Sequence, residues 1–342
     1  MDANTFEKFP KTLQACIQYF SDELVCIELL ATIRWGGMNP ACPNCGEKDA
    51  TYFLETQKRF KCRACKKQFS VKVGTIFEDS PISLTKWFPA MWLICGAKNG
   101  ISSYELGRAI GVTQKSAWFM NHRIRLAMNQ GSFEMGESGN DPIEVDETYI
   151  GGLARNMHKD KRKERFHGRT GGAGKQAVFG LLERNREGKS KVRVRVIPEQ
   201  WKTEANQIIR ENVRPGATIY SDEHGAYHAL GSEGFNHDFV THAEYYVRGS
   251  VHTNGIENFW SLLKRTIKGT YVSVEPFHMF RYLDEQAFRF NERFGDDGDR
   301  FLASLHEVVG KRVTYRKLTG KEDVRPSVND EGSESNIPES WM

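Results

Sequence analysis

Two Cys-x-x-Cys pairs constrain the fold of this chain more than any other feature. Cys42 and Cys45 form the first pair, and Cys62 and Cys65 follow after 16 intervening residues. Each pair aims two thiolates at one point, and two pairs complete the tetrahedral shell of four sulfurs that zinc prefers in structural sites. A redox dithiol or four buried free thiols are the alternatives, but a redox pair usually occurs alone and on a helix. The spacing therefore predicts a zinc ribbon with a closed, structural Zn²⁺ site.

The other three of the seven cysteines have a different setting. Cys16, Cys26 and Cys95 lie in apolar surroundings, which predicts packed core thiols. An odd cysteine count with paired Cys-x-x-Cys spacing favours metal binding in a reducing compartment over disulfides. No run of about 18 apolar residues occurs, so we expect no membrane partner. The N-terminus has no apolar signal core, and we expect a cytoplasmic protein.

The character of the sequence changes several times along its 342 residues, which predicts several domains. In chain order we expect short N-terminal helices, the zinc ribbon, a helical domain, a mixed α/β domain and a disordered acidic tail. Their predicted bounds are 1–35, 36–78, 79–132, 142–318 and 319–342.

The mixed α/β class follows from the order of elements after residue 142, where β-prone runs alternate with helical periodicity. The predicted strands are Ile143–Ile150, Ala177–Leu182, Lys191–Ile197 and Ala217–Tyr220, and the predicted helices lie around 202–213, 255–268 and 276–293. In the ribbon, the β-prone runs are Thr51–Leu54 and Gln68–Val73.

The helical domain contains a helix-turn-helix pattern. Tyr104–Ile110 predicts a first helix, Gly111 the turn, and Thr113 the N-cap of a second helix. At the start of that helix, the residues predicted to face DNA are Gln114, Lys115 and Ser116. His122, Arg123 and Arg125 are predicted to extend a basic face. An ordinary helical hairpin remains the alternative, because the signature is loose.

Three acids stand out by their context. Asp146 ends the run Ile-Glu-Val-Asp, Asp222 follows the run Ala217-Thr-Ile-Tyr-Ser, and Glu257 lies near the start of a helix. Taken alone, each acid is more readily explained as a turn cap or a solvated side chain than as a catalytic residue. Together they suit phosphodiester chemistry, in which two Mg²⁺ or Mn²⁺ ions held by carboxylates align the attacking and leaving oxygens.

Residues around the third acid add to this pattern. Lys264 lies seven residues after Glu257, about two helical turns, so both side chains share one face. With Trp260 and Arg265 nearby, this face could hold DNA phosphate beside the metals. His252 and Asn254 are candidates for site support, although a plain surface role suits them equally well.

A basic stretch follows the first acid. Between Gly151 and Lys175 there are eight Lys or Arg residues against two acids, in a chain whose net charge is only +4. Lys161, Arg162 and Lys163 are its densest part and are candidates for DNA binding. A solvated loop is the alternative interpretation.

At this point the motifs resemble a known family. The chain resembles bacterial insertion-sequence transposases with a zinc ribbon and a DDE-type catalytic domain, which are related to the eukaryotic Merlin elements. The matching stretches are RWGGMNPACPNCG, the second cysteine pair, VDETYIGG, YSDEHGAY and VHTNGIENFWSLLKR followed by IKGTY. They are spread over most of residues 30–290, and the set in this order is highly specific.

The resemblance implies a ribonuclease-H-like catalytic domain with Asp146 and Asp222 as the first two Mg²⁺ ligands. It implies Glu257 as the third ligand and Lys264 as the lysine that follows it. Relatives vary at the third position, and an Asn assigned there would match Asn254. Glu257 is preferred because an anionic oxygen binds Mg²⁺ better than an amide oxygen does.

We therefore expect a DNA transposase that binds the terminal inverted repeats of an insertion sequence, cleaves DNA and transfers strands to a target. Two ends must be joined in concert, so we expect a homodimer or larger assembly on nucleoid DNA. A catalytically inactive, transposase-derived DNA-binding regulator and a ribonuclease-H-like nuclease are the alternatives.

Overall fold

The computed structural model describes residues 9–131, 133–136, 141–151, 175–185, 188–198, 202–223, 227, 229–240 and 250–321. The described chain divides into two compact units. The first comprises residues 9–130 and 295–321, and the second comprises residues 131–294. Across these described segments, no helix combines the length and apolar character needed to cross a membrane.

The first unit begins with two helices, α1 (Leu13–Tyr19) and α2 (Glu23–Trp35). The Asp22 side chain caps α2 by accepting a hydrogen bond from Leu24 N at 2.9 Å. Gly36 ends α2 in the left-handed region at φ 78°, a conformation that glycine adopts without strain.

A three-stranded antiparallel sheet follows, with the strand order β1 (Thr51–Leu54), β2 (Arg59–Cys62) and β3 (Gln68–Phe69). Its small apolar core is aromatic. The rings of Phe60 and Phe69 stack at 5.5 Å, and Trp35 packs edge-on against Phe60 at 5.4 Å. The predicted strand 51–54 matches β1, whereas the predicted run 68–73 is a strand only over Gln68–Phe69.

Three helices complete this part of the chain: α3 (Leu84–Gly96), α4 (Ser103–Ile110) and α5 (Gln114–Ala127). A three-residue turn joins α4 to α5, with Gly111 at φ 64° as the sequence suggests. Thr113 Oγ1 accepts from Ser116 N at 3.2 Å and caps α5. The predicted pair of helices and their turn therefore form where expected.

The second unit contains a five-stranded sheet with flanking helices, as the mixed α/β class predicts. In chain order the elements are β4 (Ile143–Ile150), β5 (Gln176–Glu183), β6 (Lys191–Ile197), α6 (Lys202–Asn212), β7 (Thr218–Asp222), β8 (Asn236–Val240), α7 (Asn254–Thr266) and α8 (Met279–Asn291). The sheet order is β6-β5-β4-β7-β8. β4, β5 and β6 are antiparallel, and β7 and β8 run parallel to β4.

The two faces of this sheet bury separate apolar clusters, because successive strand residues point to opposite sides. Ile143 and Val145 of β4 pack with the cluster that contains Ile209 of α6. Val178 of β5 belongs to the opposite cluster, which contains Ile256 of α7. α6 and α7 therefore cover opposite faces of the sheet.

Two further helices, α9 (Asp297–His306) and α10 (Tyr315–Leu318), return the chain to the first unit. Phe301 of α9 is fully buried, and its ring lies 5.5 Å from both Phe20 and Phe88. The structure thus differs from the predicted domain end at 318: the apolar face of α9 packs with helices from the start of the chain. Residues 322–342 of the predicted tail lie outside the described residues.

Candidate functional site

The four ribbon cysteines converge. Cys42 Sγ lies 3.6 Å from Cys65 Sγ, and Cys45 Sγ lies 3.8 Å from Cys62 Sγ. A tetrahedral site with Zn–S bonds of about 2.3 Å has sulfur–sulfur edges of about 3.8 Å. All four sulfurs lie within 4.8 Å of one another, so the predicted ligand set fits a structural Zn²⁺.

The backbone of the first cysteine pair forms the tight turn that this geometry needs. Gly46 N donates to Cys42 O at 2.8 Å, and Gly46 adopts φ 75°.

The remaining cysteines are buried, as predicted, and burial raises the pKa of the Cys16 and Cys26 thiols to about 12. These thiols therefore stay protonated and serve the core.

In the second unit, Asp146 and Asp222 lie on adjacent parallel strands. The pairing of β4 with β7 aligns Ile143 with Ile219 and Glu144 with Tyr220. Continued in the same register, it places Asp146 beside Asp222. Paired residues project to the same face, here the face covered by α7.

The Asp146 carboxylate is held by α7. Trp260 Nε1 donates to Asp146 Oδ2 at 2.9 Å. The pKa of Asp146 is raised to about 7, first by burial and then by the charges of Glu147 and Asp222, and the Trp260 hydrogen bond offsets part of this shift. The site thus concentrates negative charge around a half-buried carboxylate.

A glycine makes room for the Trp260 indole. Gly180 of β5 pairs directly with Asp146, and a Cβ atom at Gly180 would lie 2.7 Å from Trp260 Cη2. Any larger residue at position 180 would push the ring away from the carboxylate.

We expect Gly180→Ala to destabilise the protein by about 1–3 kcal/mol, because the new methyl group overpacks the Trp260 contact. It should also weaken the Trp260–Asp146 hydrogen bond. Denaturant unfolding measures the first effect. Gly231→Ala is the matched control, since a Cβ atom at Gly231 meets nothing within 4 Å. Equal stability of the two variants would contradict this account.

A cleft of about 390 Å³ brings several predicted residues together. Its lining comprises Asp146, Glu147, Thr148, Glu257, Trp260, Ser261 and Lys264. Asp222 acts on Asp146 electrostatically but does not line this cleft. Within the described chain, only the ribbon cysteines form a group of three or more side chains close enough together to hold one metal ion as they stand. Asp146 and Glu257 share the cleft, and Asp222 lies near Asp146 on the adjacent strand.

Glu257 and Lys264 project from α7 into the cleft, as their spacing predicts. Glu257 is exposed in the first turn, and its Oε1 accepts from Thr253 Oγ1 at 2.9 Å. Burial lowers the pKa of Lys264, and the charge of Asp146 opposes this shift. The cleft therefore pairs carboxylates with one ammonium group, a set suited to metal ions and phosphate.

His252 and Asn254, the two residues predicted to support the site, lie at the N-terminus of α7. An Arg184 Nη2–His252 Nδ1 hydrogen bond of 2.7 Å makes Nδ1 the acceptor, because a guanidinium can only donate. Burial, followed by the charge of Arg184, lowers the pKa of His252. Asn254 is exposed as the first residue of α7 and is not among the residues that line the cleft.

Glu147 and Tyr227 also belong to this region and were not predicted from the sequence. Tyr227 is fully buried, and its hydroxyl donates to Glu147 Oε2 at 2.8 Å. Burial and the charge of Glu147 raise the pKa of Tyr227 well above its usual value. Both residues lie in the matched stretches VDETYIGG and YSDEHGAY, which was the available signal.

The residues of α5 that were predicted to face DNA differ in their exposure to solvent. Lys115 is exposed, with its Nζ 4.8 Å from the Tyr315 ring centre. Gln114 is half-buried and donates to Ser103 Oγ at 2.9 Å, and Ser116 is half-buried beside Thr113. Arg265 is exposed on α7. Lys161, Arg162 and Lys163 lie outside the described residues.

The predicted basic face at 122–125 requires a correction, because His122, Arg123 and Arg125 are all buried. Arg123 Nη1 donates to the carbonyl oxygens of Ile76 at 2.8 Å and Glu78 at 2.7 Å. Its guanidinium thus satisfies buried backbone acceptors within the first unit, and no exposed basic face forms there.

Comparisons with known proteins agree with this picture. Residues 138–291 match the model of the ISXO2-like transposase domain, and residues 21–68 match the transposase zinc-ribbon domain. An uncharacterized protein in transposable element ISH50 of Halobacterium salinarum is 27% identical over 260 residues, which cover 73% of this chain and 84% of that protein. No solved structure matches the chain.

A second relative is an uncharacterized transposase-like protein of Haemophilus influenzae. It is 32% identical over 103 residues, which cover 30% of this chain and 83% of that protein. Two family models and two relatives thus point the same way. The chain belongs to the family of transposases that combine an ISXO2-like transposase domain with a transposase zinc ribbon.

Proposed function

We propose that this protein binds the terminal inverted repeats of an insertion sequence, cleaves DNA at each 3′ end and joins that end to target DNA. The observation that carries the proposal is the cleft in which Asp146, Glu257 and Lys264 converge. Asp222 lies on the neighbouring strand, and its charge acts on Asp146.

The sheet supports a ribonuclease-H-like assignment for the second unit. Its first strand in sequence is central, the next two strands extend antiparallel on one side, and the last two extend parallel on the other. This arrangement agrees with the core that the family resemblance implies. The first acid then lies on the central strand and the second on its parallel neighbour.

The donor set of the cleft fits Mg²⁺ or Mn²⁺. Asp146, Asp222 and Glu257 offer carboxylate oxygens, the ligands that Mg²⁺ prefers. Burial raises the pKa of Asp146 first, and the charges of Glu147 and Asp222 add to this shift, so a bound cation would stabilise the ionised carboxylate. When bound there, two such ions would align the attacking and leaving oxygens and neutralise the charge that develops on phosphate.

The other residues have distinct roles in this mechanism. Trp260 holds Asp146 by its indole N–H, and Thr253 holds the Glu257 carboxylate from the preceding turn. Lys264 contacts the DNA phosphate, and Arg265 extends this contact along the exposed side of α7. Asp146, Asp222 and Glu257 are the proposed metal ligands, and Glu257 is preferred to Asn254 because it lines the cleft.

The first unit supplies DNA recognition in this proposal. The zinc ribbon (36–78) and the helix-turn-helix domain (79–132) bind the repeats, with Gln114, Lys115 and Ser116 at the start of α5 as the contact residues. Lys161, Arg162 and Lys163 belong to a basic segment proposed to clamp DNA or a second protomer. A homodimer or larger assembly holds both ends, because they must be joined in concert.

The decisive experiment is cleavage and joining of labelled DNA that carries the flanking ends of the element, with Mg²⁺ or Mn²⁺. We expect Asp146→Asn, Asp222→Asn and Glu257→Gln to lose nicking at the ends. Asn254→Ala and the exposed-surface control Asp238→Asn should retain it. Binding should weaken steeply as salt rises, because phosphate contacts release counterions.

Two results would redirect the assignment. Sequence-specific binding without nicking by any variant would favour a DNA-binding regulator instead. Metal-dependent nicking without preference for the terminal repeats would favour a ribonuclease-H-like nuclease.

A further inference from the structure

Glu144 is a buried acid that the proposed mechanism does not use. It lies on the central strand β4 two residues before Asp146, and only 1% of it is exposed. The alternation of strand residues puts both side chains on the face covered by α7. A carboxylate this deeply buried must have its oxygens satisfied by specific partners.

One oxygen of Glu144 caps the start of α7. Oε2 accepts a hydrogen bond from Ile256 N at 2.8 Å. Ile256 immediately precedes Glu257, and the N–H groups of a first helical turn have no partner inside the helix. A negative charge at this end is also favoured by the helix dipole. Glu144 thus attaches the turn that carries Glu257 to the strand that carries Asp146.

Gly255 permits this close approach. A Cβ atom at Gly255 would lie 2.8 Å from Glu144 Oε2 and 3.0 Å from Oε1. Contacts of this length would force the carboxylate or the helix to move. The contact with Glu144 therefore requires a glycine at position 255, in the stretch Thr253-Asn-Gly-Ile-Glu.

Arg184 completes the assembly by joining Glu144 to two further segments, residues 250–252 and β7. Its Nε donates to Glu144 Oε1 at 2.5 Å. Its Nη1 donates to Ser250 O at 2.7 Å, and its Nη2 donates to His252 O at 2.6 Å and to His252 Nδ1 at 2.7 Å. The guanidinium carbon also lies 5.1 Å from the ring centre of Tyr220, two residues before Asp222.

Stability alone is a weak reason for such an ion pair. Burying a carboxylate and a guanidinium costs desolvation energy that their attraction often only balances. The geometric effect of the Glu144–Arg184 pair is specific, however. Its contacts connect β4 and β7, which carry the first two acids, with the start of α7, which carries the third. Partners outside the ligand set that orient ligands commonly change metal affinity 10- to 100-fold when they are altered.

We propose that Glu144, Arg184 and His252 form a positioning unit that fixes the first turn of α7, and with it Glu257, relative to Asp146 and Asp222. This inference rests on the proposed function, because it assigns these residues to the geometry of the same metal site. None of the three is a metal ligand in this proposal.

The test measures Mn²⁺ binding directly, from the free-ion signal in electron paramagnetic resonance, alongside thermal unfolding and DNA cleavage. The variants are Glu144→Gln, Arg184→Lys and the uncharged change Gly255→Ala. Glu285→Gln is the matched control, since Glu285 is fully buried and paired with Arg289 on α8 and accepts from the Tyr271 hydroxyl at 2.5 Å. Gly231→Ala controls for the added methyl group.

We expect the three variants to weaken Mn²⁺ binding and raise the metal concentration for half-maximal cleavage by about 10- to 100-fold. Glu285→Gln should lower the unfolding temperature but change Mn²⁺ binding less than about twofold. If one variant fails to fold, the question is decided by the variants that do fold and whose unfolding temperature is at least that of Glu285→Gln.

Mn²⁺ binding equal to that of wild type in the folded variants would overturn the positioning role. A wild-type protein that binds Mn²⁺ without cleaving DNA would refute the proposed function while leaving the positioning role to be judged on affinity. A wild-type protein that neither binds Mn²⁺ nor cleaves DNA would overturn both.

Discussion

Replacing Asp146 with Asn will abolish DNA cleavage and, in the metal-free protein, increase stability at neutral pH. Burial, followed by the charges of Glu147 and Asp222, raises the pKa of Asp146 from its ordinary value of 3.8 to about 7. The folded state therefore holds the proton more tightly than the unfolded state, and stability is lost as pH rises from about 4 to about 7. Asn carries no charge and retains an oxygen that can accept from Trp260 Nε1.

We expect Asp146→Asn to be more stable than wild type by about 1–3 kcal/mol at pH 8, with the difference closing as pH falls towards 4. For a unit of this size the unfolding temperature should rise by several degrees, at about 2–4 °C per kcal/mol. Mg²⁺ should stabilise wild type but not the variant, since a ligand stabilises only the state that binds it.

Calorimetry at several pH values, with and without Mg²⁺, measures these effects. Asp238→Asn removes an exposed charge from β8 of the same sheet and should change little. A metal-free Asp146→Asn protein that is less stable than wild type at pH 8 would show that the ionised Asp146 carboxylate does not destabilise the folded state.

Cys62→Ser should remove the bound zinc and unfold the ribbon. Cys62 is fully buried at the end of β2, and its sulfur lies 3.8 Å from that of Cys45. Structural zinc contributes about 10–16 kcal/mol of apparent binding free energy in small domains, far more than a three-stranded sheet can replace. We expect rapid proteolysis within residues 36–78 and loss of specific DNA binding.

Elemental analysis should find one zinc per chain in wild type and none in Cys62→Ser. Cys16→Ala is the control, because it removes an equally buried thiol from α1 and should retain the metal. Zinc retained at full occupancy by Cys62→Ser, or absent from wild type, would contradict the structural role of the cluster.

Local signals in the sequence were sufficient for much of the fold. The predicted strands Ile143–Ile150 and Lys191–Ile197 match the observed bounds, because their β-prone residues are bordered by turn residues. The ribbon cysteines form the predicted cluster, since Cys-x-x-Cys spacing determines the geometry. β8 and α9 were not predicted. β8 is largely exposed and lacks an apolar alternation that would reveal it, and α9 packs against Phe20 and Phe88, which are distant in sequence.

The contacts that support the candidate site were not predictable in this way. Trp260 and Asp146 are 114 residues apart, and Ile256 and Glu144 are 112 apart, so only the assembled sheet and helix bring them together. Arg123 shows the converse error: a basic helical residue suggests an exposed side chain, yet here it satisfies buried carbonyl groups. The catalytic assignments of Asp146, Asp222, Glu257 and Lys264 remain predictions.

The return of the chain to its first unit has a consequence for synthesis on the ribosome. Residues 131–294 form one continuous stretch, so the second unit can fold as soon as that stretch has emerged. The first unit, although its other helices are translated earlier, lacks Phe301, which packs against both Phe20 and Phe88, until α9 emerges. Prematurely terminated chains that end before α9 thus contain every cysteine of the ribbon but not the completed core of that unit. The first unit is therefore completed only after the whole of the second unit has been translated.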